Sequence, residues 1–183
     1  MDSGKNRAVE GLSTDAGPAI PGTDLILRTV RNGDANRILA LMREVFIDEM
    51  GWDRAFLVDA AHTLVELLAA DTAAKNLFLV CCDDRKIIGL VVLRDAGDGA
   101  GFIRWLVVHS SVRGIGLGRL LMTRALAFAG DAGFDRVRLV TVRDLPKAMD
   151  FYLKAGFREV AHKPDILWRM PHDLCFLEIE LTP

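Results

Sequence analysis

The run Leu106-Val107-Val108-His109-Ser110-Ser111-Val112-Arg113-Gly114-Ile115-Gly116-Leu117-Gly118-Arg119 decides the fold. It begins as an apolar strand, crosses a short polar turn and opens into a helix, with Leu120, Leu121, Ala125, Phe128 and Ala129 at helical spacing. Glycines permit a sharp turn and let a ligand approach the backbone closely. The first turn of a helix leaves N–H groups unpaired, and the helix dipole favours an anion there. Arg113 and Arg119 add positive charge, so the stretch reads as a cradle for phosphate or pyrophosphate. Two common phosphate motifs do not fit. The spacing G-x-x-x-x-G-K-[ST] is absent, and Arg119 stands where G-x-G-x-x-G needs its last glycine.

On either side of this run the pattern alternates between strand and helix periods. Residues 25–30 predict a strand, followed by the turn Asn32-Gly33-Asp34 and a helix over 34–50. After Gly51 a second helix is expected over 54–70, then strands over 77–82 and 87–94 as a hairpin, and a third over 102–108. Beyond the glycine-rich helix, 137–142 predicts a strand and 147–155 a short helix ended by Gly156. Strands over 157–161 and 174–181 close the chain. The expected class is α/β (mixed α+β), a mixed and mostly antiparallel sheet with one β-α-β crossover.

Composition narrows the function. The 183 residues suit about one domain. Lys+Arg is 23 and Asp+Glu 25, so the basic excess expected of a phosphate-neutralising nucleic-acid binder is missing. No apolar stretch approaches the ~20 residues of a membrane span, and the start of the chain lacks an apolar signal segment. Three cysteines, two adjacent, build no disulfide framework. The expectation is a cytoplasmic chain with no nucleic-acid or membrane partner. Residues 1–22, rich in Gly, Pro and polar residues, are expected to be a flexible tail, and 23–183 the domain.

Arg113, Gly116 and Gly118 also satisfy [QR]-x-x-G-x-[GA], which resembles the pyrophosphate loop of the GNAT N-acetyltransferases. A second motif of that family, A-x-x-[FL]-Y-x-x-x-G-F, is matched by the run from Ala148 through Phe151 and Tyr152 to Gly156-Phe157. The resemblance spans about Leu27 to Leu181. It implies the GNAT fold, with about seven strands flanked by about four helices, and acetyl-CoA as co-substrate without a metal. Glu49-Met50-Gly51-Trp52-Asp53, Phe56, Thr141 and Leu145 further resemble the acetyltransferase half of bacterial fusions carrying a MarR-type winged helix.

The resemblance also implies roles. Leu106, Val107 and Val108 would pair with the pantetheine arm through their backbone. Arg113, Gly114, Ile115, Gly116, Leu117, Gly118 and Arg119 would hold the pyrophosphate. Tyr152, the only tyrosine, is the candidate acid for the departing thiolate, because a phenol is protonated at neutral pH. The strand before the loop, Phe102 to Leu106, offers no carboxylate. Glu49 is therefore the candidate catalytic residue on the acceptor side, with Asp53 beside it, and solvent as the other source of a base. Arg104 could meet an anionic acceptor or be an ordinary strand arginine. Leu145 stands where the family often has Asn, which removes one hydrogen bond to the coenzyme.

Other residues suggest no chemistry. The four histidines, His62, His109, His162 and His172, lack metal-ligand spacing. Cys81 and Cys82 lie in an apolar strand, Ser110 and Ser111 lack a G-x-S-x-G setting, and the three tryptophans read as packing residues. The expected activity is acetyl transfer to a primary amine, small or peptidic, by direct attack in a ternary complex. A non-catalytic acyl-CoA sensor is the competing reading, and a homodimer is compatible with either.

Overall fold

The computed structural model describes residues 23–69, 75–83 and 85–181, and the expected tail lies outside them. Seven strands form one sheet: β1 (Ile26–Thr29), β2 (Leu77–Cys82), β3 (Ile87–Asp95), β4 (Ala100–Val108), β5 (Arg136–Val142), β6 (Arg158–Leu167) and β7 (Met170–Glu180). Four α-helices accompany them: α1 (Ala35–Met42), α2 (Ala55–Ala69), α3 (Leu117–Asp131) and α4 (Pro146–Lys154). A wider π-helical stretch, Arg43–Glu49, prolongs α1. The strand order is β1-β2-β3-β4-β5-β7-β6. Every neighbouring pair is antiparallel except β4 and β5, which run parallel because α3 carries the chain back between them.

Alternation along the strands divides the core into two layers. On one face Leu117, Leu121, Met122, Ala125 and Ala129 of α3 pack with Ile103, Leu139, Tyr152 and Leu177. On the other, Ile38, Leu41 and Met42 of α1 and Phe56, Ala60 and Leu64 of α2 pack over Val80, Leu90, Trp105 and Val107. The period-3.6 apolar residues of the sequence are these contacts.

The C-terminal strands are longer than the sequence predicts. β6 and β7 continue towards each other until only Trp168 and Arg169 separate them, with Leu167 opposite Met170. Both turn residues adopt positive φ, 49° and 61°, a conformation that favours Asn-Gly and that Trp-Arg does not advertise. β6 hides for a second reason. It lies at the sheet edge and is exposed along most of its length, so Pro164 is tolerated and no apolar alternation marks it.

One buried ion pair fixes where α1 starts. Arg28 on β1 clasps Asp34 with two bonds of 2.7 and 3.0 Å, and Asp34 also accepts the Arg31 amide at 2.8 Å. Burial pushes the Asp34 carboxyl up, but the bonds from Arg28 and Arg31 outweigh it and hold the group below its ordinary value. Asp34→Ala leaves a guanidinium buried without its partner. It should cost about 3 kcal/mol and lower Tm by roughly 6–12 °C in a thermal melt at neutral pH. The folded pKa is depressed, so the pair contributes fully above the ordinary Asp value of about 4. That contribution disappears as the pH falls through the lowered value, and the two melting curves should converge in acid.

Candidate active site

The parallel pair opens. β4 and β5 are paired from Ala100 opposite Arg136 to Ile103 opposite Leu139, and no further. Just beyond, the β3–β4 register skips Arg104, so β4 carries a bulge where it leaves β5. The C-terminal half of β4, Leu106 to Val108, stays joined to β3 but, among the described residues, has no strand on its other side. Leu106, Val108, Leu120 and Phe151 border this gap on the α3 side, half-buried against the core.

The glycine-rich turn lies at the head of the gap. Gly114 and Gly116 have φ of 88° and 89°, which demands glycine or a strained residue, and Gly116 is the N-cap of α3. The first bond of α3 runs from the Leu120 amide to the Gly116 carbonyl at 3.0 Å. Among the described residues the amides of Gly114 through Arg119 find no acceptor, as a helix start requires, and the dipole adds positive potential. A Cβ on Gly118 would meet Phe151 and Val108 only at 3.8 Å. The turn, β4 and α4 therefore converge on one place, where the sequence reading puts Leu106 to Val108 and Arg113 to Arg119.

Arg113 is held rather than loose. Its Nε donates to the Val108 carbonyl at 3.2 Å, and one Nη donates to Glu49 at 2.8 Å. Glu49, ending the π-helical stretch, also accepts from the Ser110 hydroxyl and, at 3.4 Å, the Ser110 amide. Burial pushes its carboxyl up; the Ser110 bond and the Arg113 charge outweigh that and leave it below the ordinary value. His109 completes the cluster, with Nε2 3.4 Å from Glu44 and 3.8 Å from Glu49. The structure thus brings Glu49 to the glycine-rich turn. Sequence spacing could not show this, because the partners lie 61 and 64 positions apart.

Tyr152 lies on the other wall. Pro146 sits in the first turn of α4 and Gly156, with φ of 99°, follows its end. A Cβ on Gly156 would come within 3.1 Å of Ile179, so the exit from the helix is tightly packed. Leu145 caps α4 without a side-chain bond. The Tyr152 ring meets Phe151 and Phe157 edge-on, and burial pushes its phenol up to about 12. The hydroxyl has no partner among the described residues yet is not among the sealed polar atoms. It is a protonated donor at neutral pH.

The opposite, α1–α2 side of the gap carries features that sequence reasoning missed. Trp52 and Trp168 stack at 4.9 Å with rings 22° apart, and His172 lies 5.2 and 5.6 Å from them. Asp53 caps α2 through the Ala55 amide at 2.7 Å, and Arg104 bonds Thr63 at 3.3 Å beside Asp59 at 3.5 Å. Among the described residues no metal-ligand cluster occurs, and no helix is long and apolar enough to cross a membrane.

The Glu49–Arg113 pair is partly exposed, so it is worth at most about 1 kcal/mol. Glu49→Gln should lower Tm by no more than roughly 4 °C at neutral pH. With a depressed folded pKa, the wild-type advantage should be full above about pH 4.5 and fade below it, which melts across a pH series would follow.

Comparison with known proteins bears on this geometry. The family model described as Acetyltransferase (GNAT) family matches residues 40–157. An acetyltransferase from Streptococcus agalactiae superposes with a TM-score of 0.72 at 19% identity, covering 87% of this chain and 99% of that one. The ribosomal-protein-S18-alanine N-acetyltransferase of Escherichia coli gives 0.68 at 12%, covering 87% and 95%. A Bacillus anthracis structure, described as a streptothricin acetyltransferase in complex with acetyl coenzyme A, gives 0.53 at 20%, covering 60% and 65%. No curated protein matches the sequence. These likenesses give the seven-stranded sheet and its four helices as the GNAT fold, and the family match, spanning both the turn at 113–119 and Tyr152, shows that the chain belongs to the acetyltransferase (GNAT) family.

Proposed function

We propose that this chain moves an acetyl group from acetyl-CoA to a primary amine, small or peptidic, by direct attack in a ternary complex. The observation that carries the reading is the early end of the β4–β5 pairing at Ile103 and Leu139, beside the unpaired amides of Gly114 to Arg119. An extended chain bearing amides fits between strands that have parted, and a pyrophosphate fits the helix start. Arg113 and Arg119 add charge to that end. The backbone of Leu106 to Val108 lines the way to the reacting carbonyl and supplies donors where an oxyanion would form. Tyr152 gives its proton to the sulfur as the C–S bond breaks.

Glu49 serves this reaction by holding Arg113 and Ser110, and so the donor turn, in place. Its oxygens are already committed and its carboxyl is a weakened base. The acceptor is an amine by this reading. The likeness to MarR-linked acetyltransferases rests on Glu49 to Asp53, Thr141 and Leu145 and narrows it no further.

Acetyl-CoA should raise the Tm of the wild-type protein, because a ligand of the native state stabilises it by mass action. Gly118→Leu extends a side chain between Val108 and Phe151 while improving helix propensity by roughly 1 kcal/mol. The variant should stay folded and lose the rise; an equal rise in both proteins would place the donor elsewhere. Tyr152→Phe should lower kcat by about 10²-fold with donor affinity unchanged, followed by release of free thiol with a panel of amines. An unaltered kcat would leave the ring to packing. Binding of acetyl-CoA without transfer to any amine would favour the sensor.

A further inference from the structure

On the acetyltransferase reading, on which the proposal for this site rests, transfer from a thioester to an ammonium requires a group that takes a proton. The acceptor side of the gap is the face opposite α3. Four of its carboxylates are already engaged. Glu49 is held by Ser110 and Arg113, and Asp53 caps α2. Asp59 faces Arg104 at 3.5 Å and accepts from Trp168 Nε1 at 3.4 Å, while Glu44 faces Lys86 at 3.0 Å.

His172 differs from all of these. It is 6% exposed, and both ring nitrogens are sealed and, among the described residues, without a hydrogen-bond partner. A buried polar group in that condition is rare in folded proteins and calls for a reason. Its place in the sheet supplies one. Cys175 and Leu177 of β7 face the α3 core, so by alternation His172 faces the α1–α2 side. The ladder bond from the Arg143 amide to the Asp173 carbonyl puts His172 level with the open end of β5. Trp52 contacts Phe46 at 4.8 Å over the β1–β4 half of the sheet and His172 at 5.2 Å on the other half. The indole therefore links the two halves of the sheet on this face, with the imidazole at its far edge.

We propose that His172 is the catalytic base, the group that takes the proton from the acceptor amine. The acceptor enters where Trp52 and Trp168 meet, and parting these rings uncovers the imidazole. A ring nitrogen of neutral His172 accepts a proton from the ammonium, and the freed lone pair bonds to the thioester carbon. The C–S bond breaks, and the thiolate takes the Tyr152 proton. The second amine proton leaves to solvent, from which the phenolate is reprotonated; His172 then releases its own, one proton net. Charged groups on the elements around the imidazole include Asp165 of β6, opposite His172, with its partner Lys163, Asp59 of α2 with Arg104, Asp53 before α2, Asp144 after β5 and Arg169 of the turn.

The test is chemical rescue with a responsive amine. His172→Ala should lower kcat/KM for the acceptor by about 10²-fold and keep the Tm rise with acetyl-CoA. Added imidazole should restore much of the rate; pyrazole, the weakly basic isomer of the same shape, should not. Should the alanine variant fail to fold, His172→Gln replaces it, and the pH dependence of its kcat/KM for the acceptor should differ from that of wild type. Equal rescue by pyrazole, or an unchanged pH profile in the Gln variant, would overturn the proposal and leave the acetyltransferase reading intact. Acetyl-CoA binding by the wild type without transfer to any amine would overturn both.

Discussion

A strand that loses one neighbour halfway along its length must find another way to satisfy its backbone. β4 is in that position. It is paired with β3 on both sides of its bulge and with β5 only as far as Ile103, and a lone strand edge inside a fold is an open template for an extended chain. The bulge at Arg104 marks where β4 turns away. Nearly every feature of the site depends on that parting. The glycine-rich turn hangs from the free end of β4, α3 begins where the turn ends, and α4 follows the free end of β5.

The two faces of the gap have unlike chemistry because different elements cover them. On the α3 side the surroundings are unpaired amides, Arg113, Arg119 and a buried phenol, which suit an anionic donor with a leaving thiolate. On the α1–α2 side they are stacked rings, an unpartnered imidazole and carboxylates already in use. Glu49 stands between the two. It ends the π-helical stretch that prolongs α1 and grips Arg113, so the element that borders the proposed acceptor side also fixes the glycine-rich turn. In the proposed reaction, mutual positioning of donor and acceptor is where much of the rate can come from, and the clasp would make it a property of the resting fold.

The sequence made the glycine-rich turn legible and the α1–α2 side of the gap opaque. Gly114, Gly116 and Gly118 at the start of an apolar helix carry a local signal, because the constraint lies within a few residues of itself. Tyr152 is readable for the same reason, through the short helix that ends in Gly156-Phe157. The two helical faces of residues 34–70 and the β-α-β crossover are also visible as periods. What could not be read depends on residues far apart. Glu49 meets Ser110 and Arg113 only after the sheet forms. The hairpin that brings Trp168 and His172 to Trp52 turns on two non-glycine residues at positive φ, and its outer strand is an exposed edge containing proline.

Separation along the chain also explains why the histidines and tryptophans suggest no site at sequence level. Their spacings are uninformative because the cluster is assembled from the α1–α2 connection, a hairpin turn and β7. Ring packing alone would account for Trp52, Phe56 and Trp168, whose contacts at 4.9–5.3 Å are those of an ordinary aromatic core. An apolar side chain in place of His172 would serve that core better, since it brings no polar atoms to bury. The imidazole is therefore the member that packing does not explain. On the proposed reading, it lies on the side of the gap where an amine proton has to be removed.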